Sequence, residues 1–236
     1  MNLIAQLLGY LMRFVYDLVS KIGEEPENFS FLAITIIITT IIIKLMVLPL
    51  QLRSSKQMKK TQELQPQAQE IQIKFKHDPQ TANIKIQQLY RENGASLTGG
   101  CLPLLIQFPV ILAFIRVMSD LGVYVFHEAG MYEGMLKSFL WIKDLTLPDP
   151  YWFGLPLING VTTYLQTLTT PKVGTAEQQA QAQQMQMMNI LMPIMIFWFS
   201  RKYAGGFALY WTTSTLFTVI QSLITNWDLL FKKKEK

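Results

Sequence analysis

A single lysine, Lys44, stands inside an otherwise apolar run from Phe31 to Leu50, FLAITIIITTIIIKLMVLPL. The run is long enough to cross a bilayer, because about 20 helical residues span the roughly 30 Å of hydrocarbon. A charge at that depth costs roughly 3 kcal/mol or more even on the mildest insertion scale, so it marks a functional site by default. The chemistry it offers is attraction of anionic or polar groups. Covalent chemistry has no constellation to run on. The chain has no phosphate-binding glycine loop, no HExxH and no GxSxG, and its two histidines, His77 and His127, are expected on opposite sides of the membrane. Ser200, Ser214 and Ser222 lack a basic or acidic partner at useful spacing. One cysteine, Cys101, cannot build a disulfide framework, a CxxC pair or a zinc cluster. The expectation is a protein that is not an enzyme and that uses no cofactor or metal.

The elements that position Lys44 follow from hydropathy. Half the residues are apolar and only 16% are charged, and the apolar ones gather in runs of roughly 18 to 24, the length of a spanning helix. Five transmembrane helices are expected, at about Phe31–Leu52, Cys101–Phe126, Tyr151–Leu168, Met187–Phe199 and Phe207–Ile224. The fourth needs its Met- and Gln-rich flank to reach full length. The fold class is therefore all-α, a polytopic membrane protein.

Lysine and arginine in the connections set its direction. Eight lie in 51–100 (Arg53, Lys56, Lys59, Lys60, Lys74, Lys76, Lys85, Arg91), Lys172 lies in the 169–186 loop, and Lys232, Lys233, Lys234 and Lys236 lie in the tail. The opposite side has Arg13, Lys21, Lys137, Lys143, Arg201 and Lys202, and both 1–30 and 127–150 are net acidic. The positive-inside rule puts the N-terminus outside and the C-terminus in the cytoplasm.

Three segments flank this core. Residues 1–30 carry Leu3, Leu7, Leu11, Phe14 and Leu18 at three- and four-residue steps, which predicts an amphipathic helix in the outer interface. They lack the basic n-region and small-residue cleavage site of a signal peptide. Within the 31–225 core, residues 51–100 read as a cytoplasmic helical hairpin broken at HDPQ and ending at a glycine cap. Leu52, Met58, Leu64, Ile71 and Phe75 would face Ile84, Ile86, Leu89 and Tyr90, too small a core for rigidity. Residues 226–236 form a basic tail.

The run Gly99-Gly-Cys-Leu-Pro-Leu-Leu-Ile-Gln-Phe-Pro109 closely resembles the signature opening the second core span of the YidC/Oxa/Alb family of membrane protein insertases. Three more stretches resemble that family in order. They are Lys44-Leu-Met-Val-Leu-Pro49-Leu50; Trp141-Ile-Lys-Asp144-Leu followed by Asp149-Pro150-Tyr151 and Leu155-Pro156; and Met192-Pro193 followed by Gly206-Phe-Ala-Leu-Tyr210-Trp211. The five-span form without a large extracytoplasmic domain is similar to the Gram-positive members.

The resemblance implies a water-filled groove, open to the cytoplasm and to lipid and closed outside, into which a basic residue of the first span projects. Seven rises of 1.5 Å separate residue 44 from residue 51, placing Lys44 roughly 10 Å from the cytoplasmic interface. There a cation attracts the polar end of a nascent membrane protein, and partitioning of the substrate's apolar helix into lipid drives insertion without ATP. Where this chain has Lys44 most bacterial members have arginine, so charge is kept and bidentate fork geometry is lost. The alternative for Lys44 is snorkelling toward the headgroups.

Gln107, Thr163, Gln166 and Trp211 are the candidate groove residues beside Lys44, with Thr162, Thr212 and Ser214 as further polar positions at membrane depth. Interhelical hydrogen bonding is the competing role for each. Arg116 and Asp120, spaced i and i+4, are expected to pair. The second and fourth spans carry apolar faces (Leu104, Leu105, Phe108, Leu112, Ile115; Ile190, Met192, Ile194, Ile196, Phe197, Phe199) that the resemblance assigns to a slide for the departing substrate helix. The implied partners are nascent membrane proteins, the Sec translocon, the lipid bilayer, and the ribosome through the basic tail. A small-solute transporter or channel is the competing reading, but the internal repeat it should carry is not visible. An assembly chaperone without insertion activity shares most of these features.

Overall fold

The structure is a computed structural model that describes residues 2–95, 102–128, 131–169 and 179–226. It is all-helical, with only isolated bridges among residues 29 and 137–144 as extended pairing within the described residues. The elements are α1 (Asn2–Val19), α2 (Phe31–Glu63), α3 (Gln65–Lys74), α4 (Pro79–Glu92), α5 (Leu102–Ser119), α6 (Leu121–Tyr124), α7 (Met131–Gly134), α8 (Leu155–Thr169), α9 (Gln179–Lys202) and α10 (Gly205–Thr225). Helices α2 and α10 are long and apolar enough to cross a membrane, and Leu105–Ser119 is a shorter apolar helix.

Helix α2 starts where the Ser30 hydroxyl accepts from the Ala33 N–H and then runs 33 residues without a break through Pro49. The expected first span and the start of the expected hairpin are therefore one helix. It ends at Glu63, so the hairpin has an additional corner at Leu64, and α3 begins with Pro66 in its first turn. Helices α3 and α4 pack through Ala68, Ile86 and Tyr90, with Leu64, Ile71 and Leu89 around them. Ile84 is exposed, and Phe75 instead lies under the Lys85 ammonium. Gly94 takes φ +61° and closes α4, letting the Ala95 N–H reach the Tyr90 carbonyl at 2.8 Å.

Helix α1 is apolar on two sides. Leu3, Leu7, Phe14 and Leu18 face outward as a stripe, while Ala5, Leu8, Met12, Val15, Tyr16 and Val19 are buried. The buried side packs on α2, α5 and α6, and Arg13 binds Asp17 at 2.9 Å along the edge between the two faces.

Helix α5 ends at Ser119. Asp120 leaves the helical conformation and caps α6, accepting from the Val123 N–H at 3.1 Å. The Arg116/Asp120 spacing thus straddles a helix end. Helix α8 begins at Leu155, four residues later than the expected span, and α9 includes the Met- and Gln-rich flank from Gln179.

The main core gathers at one end of the bundle. It joins Leu32, Ala33 and Ile36 at the start of α2, Ala113 to Met118 at the end of α5, Phe207 to Trp211 at the start of α10, α1, and Ile142 and Leu145 of the α7–α8 connection. That end is tied further by the Gly205 and Gly206 N–H groups, which donate to the Leu147 and Leu145 carbonyls at 2.7 Å each. A β-carbon on Gly206 would lie 2.2 Å from Met118 Cε and 3.1 Å from Ile36 Cδ1, so α10 runs close to both side chains here. At the opposite end Lys59 donates to the Thr225 carbonyl in the last turn of α10, and Asn226 donates to the Thr169 carbonyl of α8 at 3.3 Å.

Candidate functional site

Beyond its buried first turns, α2 meets α5 only sparsely while packing closely on α10. The space left between them is a narrow cleft lined by Thr40, Ile43, Lys44, Val47, Gln51, Ile106, Gln107, Val110 and Tyr210. Three helices supply the polar groups because each carries them at one helical spacing. Thr40 and Lys44 stand four apart on α2, Gln107 is on α5, and Tyr210, Ser214 and Thr218 descend α10 in steps of four.

Lys44 is 6% exposed and donates to Gln107 Oε1 at 3.3 Å and to Thr218 Oγ1 at 3.1 Å. Gln107 Nε2 in turn donates to the Tyr210 hydroxyl, and the Thr218 hydroxyl donates to the Ser214 carbonyl at 2.9 Å. Among the described residues the cation therefore has two oxygen partners from two helices, and neither is a carboxylate. A neutral ring of this kind satisfies a buried ammonium without neutralising it, so its field stays available to an incoming anion.

The other candidates lie elsewhere. Trp211 Nε1 donates to Thr163 Oγ1 at 3.0 Å, and both side chains are buried in the seam between α8 and α10, outside the cleft lining. Thr162 and Thr215 meet in the same seam with their Oγ atoms 3.0 Å apart. Gln166, half-buried, follows Thr163 by three residues on α8. At the heart of the seam is a residue that hydropathy reading passed over. Asn159, fully buried, donates to Ser200 Oγ at 2.9 Å and to the Ala208 carbonyl at 3.0 Å, and its Oδ1 accepts from Thr212. One side chain thereby joins α8, α9 and α10. Thr218 and Tyr210 were likewise missed as site residues, although the four-residue polar spacing through Ser214 would have found them.

The Trp-Ile-x-Asp and Asp-Pro-Tyr stretches are a structural clamp. Asp149 accepts from Trp141 Nε1 at 3.2 Å and from the Tyr151 and Leu155 N–H groups at 2.9 and 2.7 Å, capping α8. Asp144 accepts from the Thr146 N–H at 2.8 Å within the same connection.

On the outside of the bundle Leu105 and Phe108 of α5 and Ile190, Ile194 and Phe199 of α9 are exposed, whereas Ile115 and Met192 pack on the core and Ile196 is buried. The apolar faces read from sequence thus mix outward and inward positions. The Gly99–Cys101 opening of the α5 signature, Lys172 and the lysines of the tail lie outside the described residues.

Comparison with known proteins adds an independent observation. Residues 26–233 match the sequence profile of the family described as 60Kd inner membrane protein. The chain is 36% identical over 220 residues to the membrane protein insertase YidC of Fusobacterium nucleatum, covering 93% of each chain. It is 34% identical over 211 residues to that of Clostridium tetani, covering 89% of this chain and 88% of the relative. To that of Helicobacter pylori strain 26695 it is 37% identical over 232 residues, which are 97% of this chain but 38% of the longer relative.

Proposed function

Because the chain belongs to the YidC/Oxa/Alb family of membrane protein insertases, we propose that it inserts nascent membrane proteins by presenting the Lys44 cation to their polar ends in the α2–α5–α10 cleft. Membrane protein insertion is the function its relatives carry by name, and the observation that carries the mechanism is the placement of Lys44. Its ammonium is drawn into the cleft by Gln107 and Thr218; a snorkelling lysine would have its head at the headgroups. The main core backs the cleft at Tyr210, Ile43 and Val110, and we take that backed side as the one turned to the outer face of the membrane. In the topology given by the lysine and arginine distribution, five spans cross the membrane with the N-terminus outside, and the open side faces the cytoplasm.

In this reading a carboxylate or polar tail entering the cleft exchanges water for a poorly screened positive field. The attraction holds the tail in the inner leaflet, and the apolar distance left to cross is shorter than the whole bilayer. The substrate's apolar helix then leaves along the exposed faces of α5 and α9 into lipid, and burial of apolar surface supplies the free energy without ATP. The α3–α4 hairpin and the basic tail lie on the side where the ribosome and the Sec translocon deliver chains. Thr163 and Trp211, paired in the buried α8–α10 seam, brace the helices beside that path.

Reconstitution tests this directly. Liposomes holding the protein and one labelled single-span substrate are scored by protease protection of the translocated tail. Lys44→Arg is expected to retain insertion and Lys44→Glu to lose most of it; full activity of Lys44→Glu would refute the electrostatic role.

A further inference from the structure

We propose that Tyr210 is a positioning residue that keeps the Lys44 cation in the cleft by fixing the orientation of the Gln107 amide. The inference rests on the reading of Lys44 as the working cation and adds to it the device that holds the charge where it works. An ammonium is a donor only, so the Gln107 atom 3.3 Å from Lys44 Nζ has to be the carbonyl oxygen. The amide NH2 must then point away and find an acceptor, and the Tyr210 hydroxyl is the acceptor it meets. That hydroxyl is not free to drift. The Tyr210 ring is buried and stacks on Phe114 with centroids 3.9 Å apart at 18°.

Constraint therefore passes from the Phe114 stack to Tyr210, from Tyr210 to the amide, and from the amide to the lysine. Without the hydroxyl the amide NH2 loses its acceptor inside the bundle, and turning to find another swings the carbonyl oxygen off the ammonium. The four-carbon lysine stem is long enough to answer by moving its head toward the lipid headgroups. Tyr210 is thus the residue that opposes snorkelling, and it does so without touching Lys44.

The test reads the position of the amine and needs no substrate. The full chain in lipid nanodiscs is treated briefly with N-hydroxysuccinimidyl acetate, and acetylation of Lys44 is measured by peptide mass spectrometry against exposed Lys21 as internal reference. Tyr210→Phe keeps the ring and its stack and is expected to raise Lys44 acetylation about fivefold, the equivalent of one neutral hydrogen bond. Gln107→Leu should raise it as much, and the double variant no further.

Gln107→Glu separates orientation from packing. Both carboxylate oxygens accept, so in that background Tyr210→Phe should change nothing. An equal rise in the Gln107→Glu background, or no rise with Tyr210→Phe alone, would overturn the proposal. Because labelling is independent of insertion, such a failure leaves the insertase reading to be judged by Lys44→Glu alone.

Discussion

Gly154 lies so close to Asp149 that a β-carbon on it would stand 2.4 Å from the carboxylate Oδ2 and 2.8 Å from Trp141 Nε1. Asp149 is buried and already accepts from three donors, so it cannot retreat without leaving N–H groups unpaired. Gly154→Ala is expected to destabilise the protein by about 1–3 kcal/mol, the usual cost of overpacking a filled site. Thermal unfolding in detergent, followed by tryptophan fluorescence, should show the lower midpoint; an unchanged midpoint would mean that the clamp is looser than its geometry.

The attachment of α1 rests on an equally close approach. A β-carbon on Gly9 would be 2.1 Å from the Tyr124 carbonyl oxygen, a backbone atom that no rotamer change can move. Gly9→Ala should lift α1 from α6, and amide hydrogen exchange across residues 2–19 should quicken while α8 and α10 keep their protection. Uniform protection in the variant would show that α6 yields instead.

Asn159 is expected to be the most sensitive polar position outside the cleft. Asn159→Ala removes three hydrogen bonds in the seam, at about 0.6 kcal/mol each for membrane helices, and leaves a cavity besides. A loss of about 2 kcal/mol or more should appear in denaturant titration of the reconstituted protein. Thr215→Val, which removes a hydroxyl shared among Thr162 Oγ1 and the Trp211 and Thr212 carbonyls, should cost less, about 1 kcal/mol.

The hairpin carries a pH-dependent cap. The Asp78 side chain accepts from the Thr81 N–H at 3.1 Å, and the hydrogen bonds from Thr81 hold its carboxyl below the usual carboxylate range. A carboxylate held low in the folded state contributes stability that is present above its ordinary range and lost as pH falls through its folded value. The first turn of α4 should therefore fray in acid and not near neutrality, and Asp78→Asn should remove most of that dependence while retaining a weaker cap. Backbone NMR shifts of residues 79–82 between pH 6 and 2.5 would read it; identical acid responses in both proteins would assign the change to another group.

What the sequence made legible depended on the range of the interaction concerned. Helix α2 and the glycine end of α4 follow from local periodicity and capping residues, and the structure has them. Lys44 was legible because its cost in hydrocarbon is independent of its neighbours, and Gln107 meets it. The late start of α8 was not legible, since it depends on Asp149 gathering donors from Trp141, Tyr151 and Leu155, and hydropathy continues through that corner. Nor was the split between the Lys44 ring and the Thr163–Trp211 pair: Tyr210 and Trp211 are adjacent in the chain, yet one helical step of about 100° sends them to different seams. The second apolar side of α1 escaped for a related reason, because Ala5, Leu8 and Met12 read as part of one broad greasy surface until a partner divides it.

Helix α2 is continuous from Ser30 to Glu63, and its length gives the cleft a mechanical property. Its 33 residues make a rod about 50 Å long, pinned near one end where buried Ile36 meets the Gly206 approach and held toward the other by the Lys59 bond to the Thr225 carbonyl. Lys44 lies about 12 Å from that pivot and Glu63 about 40 Å from it. By simple leverage, a sideways swing of about 10 Å at Glu63 carries the Lys44 backbone about 3 Å, the length of one hydrogen bond. Whatever leans on the α3–α4 hairpin therefore leans, at reduced amplitude and greater force, on the grip that Gln107 and Thr218 keep on the charge.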